Sequence, residues 1–230
     1  FAPTLAGGTI ALSSPLALDK GLDFEGAGGA RVNIACWSGP ALEMSGGGQG
    51  NLVLHGVNVI GGVHVVGGNV QIHDATITGG SAAQGGGVYV AGGNLEISSS
   101  WIVGNRASQG GGVYIANGNL QISGSTIASN AAFGGDLVAA GAGVYAVGGN
   151  VEINHSYVIG NWALGAAGLS GGVGGGAMGG GLYFAGSNME INHTAFSGNN
   201  AVGGAGGAGA SSMASTSAGR NGGAGGGGMG

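Results

Sequence analysis

Charge is scarce in this chain: 230 residues carry four basic and nine acidic side chains. The basic ones, Lys20, Arg31, Arg106 and Arg220, lie scattered with no basic run, so the electrostatic footprint of a nucleic-acid binder is missing. Cysteine occurs once, at Cys36, which excludes an internal disulfide and a thiolate metal cluster and predicts a buried thiol. Proline occurs three times and no Gly-X-Y period is present, so collagen is excluded. Glycine or a polar residue interrupts every apolar run before the roughly 18 residues that a spanning helix needs, and direct membrane insertion is not expected.

What the chain has is glycine, 61 residues of it, together with 43% hydrophobic residues. That much apolar and β-branched surface argues against disorder for the chain as a whole. A single elongated domain is expected.

Internal repeats decide the architecture. Five segments align: VHVVGGNVQIHDATITGG from Val63, VYVAGGNLEISSSWIVGN from Val88, VYIANGNLQISGSTIASN from Val113, VYAVGGNVEINHSYVIGN from Val144 and LYFAGSNMEINHTAFSGN from Leu182. Within the second, Val88 and Val90 flank Tyr89, Leu95 and Ile97 flank Glu96, and Ile102 follows Trp101. Alternation of period two means strand, three short strands to each unit. A strand with one apolar face buries it only by stacking on its neighbours at roughly 4.8 Å. The fold class expected is therefore all-β, a right-handed parallel β-helix.

Stacking sets like residues over like. Tyr89, Tyr114, Tyr145 and Tyr183 are expected to form an outward aromatic ladder, with His64 at the matching place in the first unit. Ile72, Ile97, Ile122, Ile153 and Ile191 point inward. Asparagine recurs at a turn as Asn69, Asn94, Asn119, Asn150 and Asn188, a candidate structural ladder, and at a second turn as Asn105, Asn130, Asn161 and Asn199. Asn tolerates left-handed backbone, and its amide reaches the equivalent group one coil away.

Residues 1–62 continue the pattern less strictly, through TIAL at Thr9, LDF at Leu22, VNI at Val32, ALEM at Ala41 and NLVL at Asn51, and read as shorter N-terminal coils. Residues 63–200 are the regular repeats, and 201–230 a glycine-rich loop or tail leading into, or docking at, a further coil. Unit starts lie 25, 25, 31 and 38 residues apart. The added length precedes the next VY or LY, so glycine-rich loops are expected to grow at one corner, on a face that meets partners.

The GGGVY, GGNLEIS and SxIxxNxA segments resemble the right-handed β-helix repeats of secreted bacterial surface proteins. GGGVY and FSGN are similar to the GGA(I/L/V) and FxxN repeats of chlamydial polymorphic outer membrane proteins, with Phe196 to Asn199 the full match to FxxN. The opening LAGGTIALSSPLALDKGLDFEGAGG resembles the start of long β-helix surface proteins of environmental bacteria. Together these cover most of residues 1–200. The resemblance implies an extracellular or cell-surface location, autotransported adhesins among the relatives, and no cofactor; such motifs specify fold far better than activity.

Some parallel β-helices carry polysaccharide-degrading sites, which need carboxylates beside a base or a metal ligand. Glu96, Glu152 and Glu190 take the same outward position, with Gln71 and Gln121 in the same column; Glu152 and Glu190 fall one coil apart, where like charges invite a cation. No Lys or Arg recurs beside them, and a solvated polar face is the preferred reading. His155 and His193 also align, but a third metal ligand is lacking, with only Asn154 and Asn192 nearby. Neither a calcium nonapeptide, a phosphate loop nor a GxSxG elbow stands out. No catalytic or metal-binding residues are assigned, and the chain is read as no enzyme.

Two uses of the outer surface remain. One is adhesion to a protein or glycan, with Trp101, Trp162 and Phe133 as the candidate interaction surface; the aromatic ladder is read more readily as cross-coil packing. The other is self-association into a filament, because a solenoid has two open ends and little charge keeps them apart.

Overall fold

A computed structural model describes residues 7–26, 31–45, 50–135, 138–207 and 228–229. Every strand pairing in it is parallel, and the strands sort into three long sheets that wind around one core. The first sheet has eight strands, from Thr9–Leu12 to Ala195–Ser197. The second has seven, from Leu16–Ala17 to Leu182–Ala185, and the third seven, from Leu22–Glu25 to Asn188–Asn192. One strand from each makes a coil. This is a right-handed parallel β-helix, the hand that parallel crossovers adopt.

Alternation drives each strand. In Leu95–Ser98, Leu95 and Ile97 are buried while Glu96 is exposed, and the coil above repeats the pattern in register, Leu95 opposite Leu120 and Ile97 opposite Ile122. The core is thus a set of stacked aliphatic columns, continuous from Leu18 to Val158, with Cys36 buried among them. Ile191 continues its column opposite Ile153, yet it is 37% exposed because no coil lies over it among the described residues.

A single left-handed residue makes the bend from the third sheet into the next first-sheet strand. Asp74, Ser99, Gly124, His155 and His193 hold this position with φ between 45° and 54°, so the local geometry repeats although the residue changes. Short polar side chains and glycine carry it at least cost.

Coil length differs from expectation at the N-terminal end. The first sheet advances by 24 residues from Thr9 to Asn33 and 25 from Asn33 to Asn58, so these coils are not short. The short step is the next, 18 residues from Asn58 to Thr76, across the expected border at residue 62. Strand lengths hardly change between these coils; connections absorb the difference, and connections have no fixed period to read.

The lengthening corner is more ordered than loops. Arg106–Ala107, Ala131–Phe133, Trp162–Leu164 and Asn200–Val202 form a four-stranded parallel sheet, and Ala139–Ala140, Ala177–Met178 and Gly228–Met229 a three-stranded one. Between them lies a second core made only of alanine: Ala132, Ala139, Ala142, Ala163 and Ala177, with Ala201 against it. Residues 228–229 of the expected tail therefore belong to this lobe, while 208–227 fall outside the described residues.

Beyond the sheets the lobe changes period. Gly165 and Gly168 donate to Val202 and Ala205, Gly172 and Gly175 to Leu169 and Ala166, and Gly204 and Gly207 to Gly175 and Gly172, all at 2.7–2.9 Å. Donors and acceptors recur every third residue, where a β-ladder would use every second. A three-residue period with hydrogen bonds running mostly between passes resembles the packing of polyproline-II-type strands; the Gly172 bond to Leu169 closes the turn between two of the passes. Three such passes donate around a closed triangle. A Cβ on Gly165, Gly204 or Gly207 would lie 2.1, 1.8 or 1.6 Å from a backbone oxygen, so only glycine fits there, as at a collagen axis.

Candidate functional site

A shallow groove of about 500 Å³ lies on the outer face of the third sheet. Two columns wall it. The first is the asparagine ladder: Asn94 Nδ2 donates to Asn69 Oδ1 at 3.1 Å, Asn119 to Asn94 at 3.0 Å and Asn150 to Asn119 at 3.0 Å, while each Oδ1 also receives the backbone N–H of the next asparagine. The ladder starts one coil earlier than expected, at Asn51, whose Oδ1 accepts from Asn69 at 3.1 Å. Asn188 stands in register opposite Asn150. All five expected members are exposed.

The second wall is Glu96, Gln121, Glu152 and Glu190, stacked in register in a column that Gln71 begins one coil before the groove. Gln71 donates to Glu96 at 3.2 Å and Gln121 to Glu152 at 3.4 Å, and Asn192 donates to Glu190 at 2.7 Å. Asn154 donates likewise to Glu152. Each carboxylate is thus met by a neutral amide, and Lys or Arg takes no part in the column.

The ladder that satisfies buried groups is the other asparagine column. Asn105, Asn130 and Asn161 are wholly buried. Asn130 Oδ1 accepts from the backbone and the side chain of Asn105 at 3.0 and 3.1 Å, and Asn130 Nδ2 donates to Ile102 O and to Asn161 Oδ1 at 2.9 and 3.0 Å. Sequence reasoning missed a third column altogether. Ser100, Ser125 and Ser156 are buried, each hydroxyl donating to the carbonyl two residues back at 2.7–2.8 Å. Ser125 Oγ also accepts the backbone N–H of Ser100 at 3.0 Å, and Ser156 Oγ that of Ser125 at 3.1 Å. The signal was present as SSSW, SGST, NHSY and NHTA at one repeat position; hydroxyls there look like ordinary turn residues.

The tyrosines stack in sequence order. Ring centroids of Tyr89, Tyr114, Tyr145 and Tyr183 lie 5.2, 5.0 and 4.8 Å apart with interplanar angles of 5–11°. His64 meets Tyr89 edge-on at 4.2 Å. The ring faces cover one another, so the ladder has edges and hydroxyls to offer and no flat platform. Burial pushes the Tyr114 and Tyr145 hydroxyls above their ordinary range, helped by neighbouring tyrosines. Burial likewise lowers His64, against a weaker upward pull from Glu43.

Trp101, Trp162 and Phe133 are all exposed, at 57%, 48% and 39%, but they do not form one cluster. Trp101 stands on the first sheet between Thr76 and Thr126. Trp162 and Phe133 share the four-stranded sheet in separate columns, Trp162 between Ala131 and Asn200 and Phe133 opposite Leu164, which in turn stands opposite Val202. The Arg106 guanidinium lies 5.6 Å over the Phe133 ring.

His155 and His193 stack at 4.8 Å and 6°, with Tyr157, Thr194 and Ala195 around them. Among the described residues no group of three or more His, Cys, Asp or Glu side chains is arranged to hold a metal ion. The chain matches no family model, no curated protein and no solved structure.

Proposed function

We propose that this chain is a non-enzymatic, extracellular structural or adhesive surface protein, in which the β-helix holds an interaction lobe clear of its anchor. The observation that carries the reading is the distribution of exposed apolar side chains. Phe133, Val138, Trp162, Leu169, Val173 and Val202 all lie on the glycine-rich lobe, with Leu169 86% and Val173 71% exposed. Among the described residues of that lobe, 106–107, 131–135, 138–143, 162–181 and 200–207, Arg106 is the one charged side chain, and its guanidinium lies over the Phe133 ring. Exposed apolar and aromatic side chains with few charges, and an arginine against an aromatic ring, are what contact faces are enriched in. Similarity of the repeat motifs to secreted bacterial surface proteins supports the location, and with it a protein or glycan of a cell surface as partner.

Attachment of the purified chain to cells or extracellular matrix tests the reading. Replacing Phe133 and Trp162 with alanine, or removing residues 166–175, is expected to lower attachment severalfold while the β signature in circular dichroism persists. Equal attachment by all three proteins would remove the lobe from the account.

A filament subunit is the second reading, and one observation favours it. Met189, Ile191 and Phe196 occupy core positions in the last described coil yet are 37–44% exposed. A further coil, of this polypeptide or of another copy, would cover them. Sedimentation that stays monomeric at high concentration would count against assembly between copies.

A further inference from the structure

The groove on the third sheet has a donor and acceptor pattern that restricts what fits it. An asparagine side chain offers two N–H donors and one oxygen with two lone pairs. Along the ladder, Asn94 and Asn119 each use both lone pairs, one for the side chain and one for the backbone N–H of the next asparagine. Each also uses one of its two side-chain N–H groups on the asparagine below. One N–H per coil is left over at Asn94 and Asn119, so this part of the wall presents donors only, while Asn150 and Asn188 at its end keep an open side-chain oxygen as well.

The facing wall presents mostly acceptors. A carboxylate accepts about four hydrogen bonds. Glu96 receives one from Gln71, and Glu190 one from Asn192, leaving most of their capacity open. Leu95, Leu120 and Val151 form the floor between the walls. The groove spans four coils, from Asn94 to Asn188, or three steps of roughly 4.8 Å, and it runs along the solenoid axis.

We propose that this groove binds a linear, uncharged polysaccharide lying along the axis. A hydroxyl both donates and accepts, and a chain of sugars repeats that pair at short intervals, so it answers a donor row and an acceptor row together. An acidic polysaccharide would meet Glu96, Glu152 and Glu190 with no Lys or Arg among the lining residues. A peptide would satisfy the walls only where its backbone happened to match the coil pitch. Aromatic stacking is absent from the lining, so affinity comes from many weak polar contacts and grows with chain length. The inference takes its biological sense from the adhesive reading, but it uses a different face from the glycine-rich lobe.

Retardation in native gels containing a soluble neutral β-glucan, with isothermal titration of its oligosaccharides, tests the proposal. Retardation that persists in high salt is expected, together with affinity rising by about tenfold as the oligosaccharide lengthens to span the four coils. Asn119→Ala with Gln121→Ala should abolish it, and Glu96→Gln with Glu190→Gln should weaken it severalfold, since an amide accepts through one oxygen only. Trp162→Ala, on the lobe, should leave it unchanged. Two results would overturn the proposal: no retardation by any of a panel of neutral linear glycans, or retention only on cationic polymers and lost with salt, which is plain charge attraction. Loss of the groove while cell attachment through the lobe survives would leave the adhesive reading standing; loss of both would remove both.

Discussion

Two asparagine columns with the same residue and the same repeat spacing do different work, and burial separates them. Asn130 lies in the interior with four bonds to protein groups, two of them to backbone atoms. Asn130→Ala strands the Asn105 backbone N–H and one side-chain N–H of Asn105 away from water, at a cost of roughly 2–4 kcal/mol. Asn94→Ala breaks an exposed ladder whose groups water can satisfy, and should cost less than about 1 kcal/mol. Urea unfolding of both variants checks this; equal losses would mean that exposure does not govern the ladders. Sequence spacing revealed both columns but could not rank them, because which asparagine faces inward depends on the bend after the first-sheet strand, where Gly104, Ser129 and Gly160 take positive φ. His64 supplies the pH dependence at this scale. Burial depresses its pKa below the ordinary 6.5, so the unfolded chain binds the proton more readily. Its contribution to stability is present above about pH 6.5 and is lost as pH falls toward the lower folded value. The thermal midpoint should therefore drop between pH 7 and 5, and His64→Tyr, which extends the tyrosine stack, should flatten that slope. An unchanged slope would remove His64 as its source.

Strands, bends and ladders were readable because each recurs. Val88, Val113, Val144 and Leu182 announce the second sheet, and their spacing gives the register that the pairings follow. Elements that occur without a strict repeat were not readable as elements. Val57–Ile60 matches the VNIA of Val32–Cys36 in register but follows Asn51–His55 after a single residue and so reads as part of it, and Leu16–Ala17 is two residues long. The fringe was legible as length and as glycine, yet its three-residue hydrogen-bond period was hidden, since Gly165, Gly168, Gly172, Gly175, Gly204 and Gly207 stand among many other glycines. Where the groove lies was partly legible too: its two walls were read as separate columns, although Asn150 and Glu152 are two residues apart on one strand and alternation sets both on the outer face. The period-three packing makes a local prediction. Gly204→Ala or Gly207→Ala would drive a methyl into the backbone oxygen of Ala166 or Leu169, opening the triangle without touching the main core. Amide exchange at Gly165, Gly168 and Gly175 should accelerate at least tenfold, with the Leu95–Ser98 strand unaffected. Gly135, with nothing within 4 Å of an added Cβ and no left-handed φ, is the control, and its alanine variant should behave as the parent does. Unchanged exchange in the Gly204 and Gly207 variants would mean that the passes do not pack as a closed bundle.

A stacked solenoid has no central nucleus; its stability is a sum of coil terms and of interfaces between neighbours. The coils from Val88 to Ala128 have a neighbour on both sides, and their inward aliphatic residues are essentially inaccessible. Among the described residues, the three main-sheet strands of the coil from Leu182 to Ser197 have a neighbour on one side only, and its Met189, Ile191 and Phe196 are open to water. Apolar side chains left half in water forfeit much of the roughly 1.5–3 kcal/mol that full burial of each supplies. Opening should therefore begin at this coil and move inward, so that protection from amide exchange climbs from the 182–202 segment to a maximum near 88–128. Grafting one extra coil with an apolar inner face and a charged, proline-bearing outer edge onto the last strand should reverse the order locally. The 182–202 amides would then reach the protection of the coil before them, and any concentration-dependent assembly through that end would stop. Protection that is uniform along the chain before grafting would show the molecule to unfold as one unit, and the exposed coil would then hold no special place in either stability or assembly.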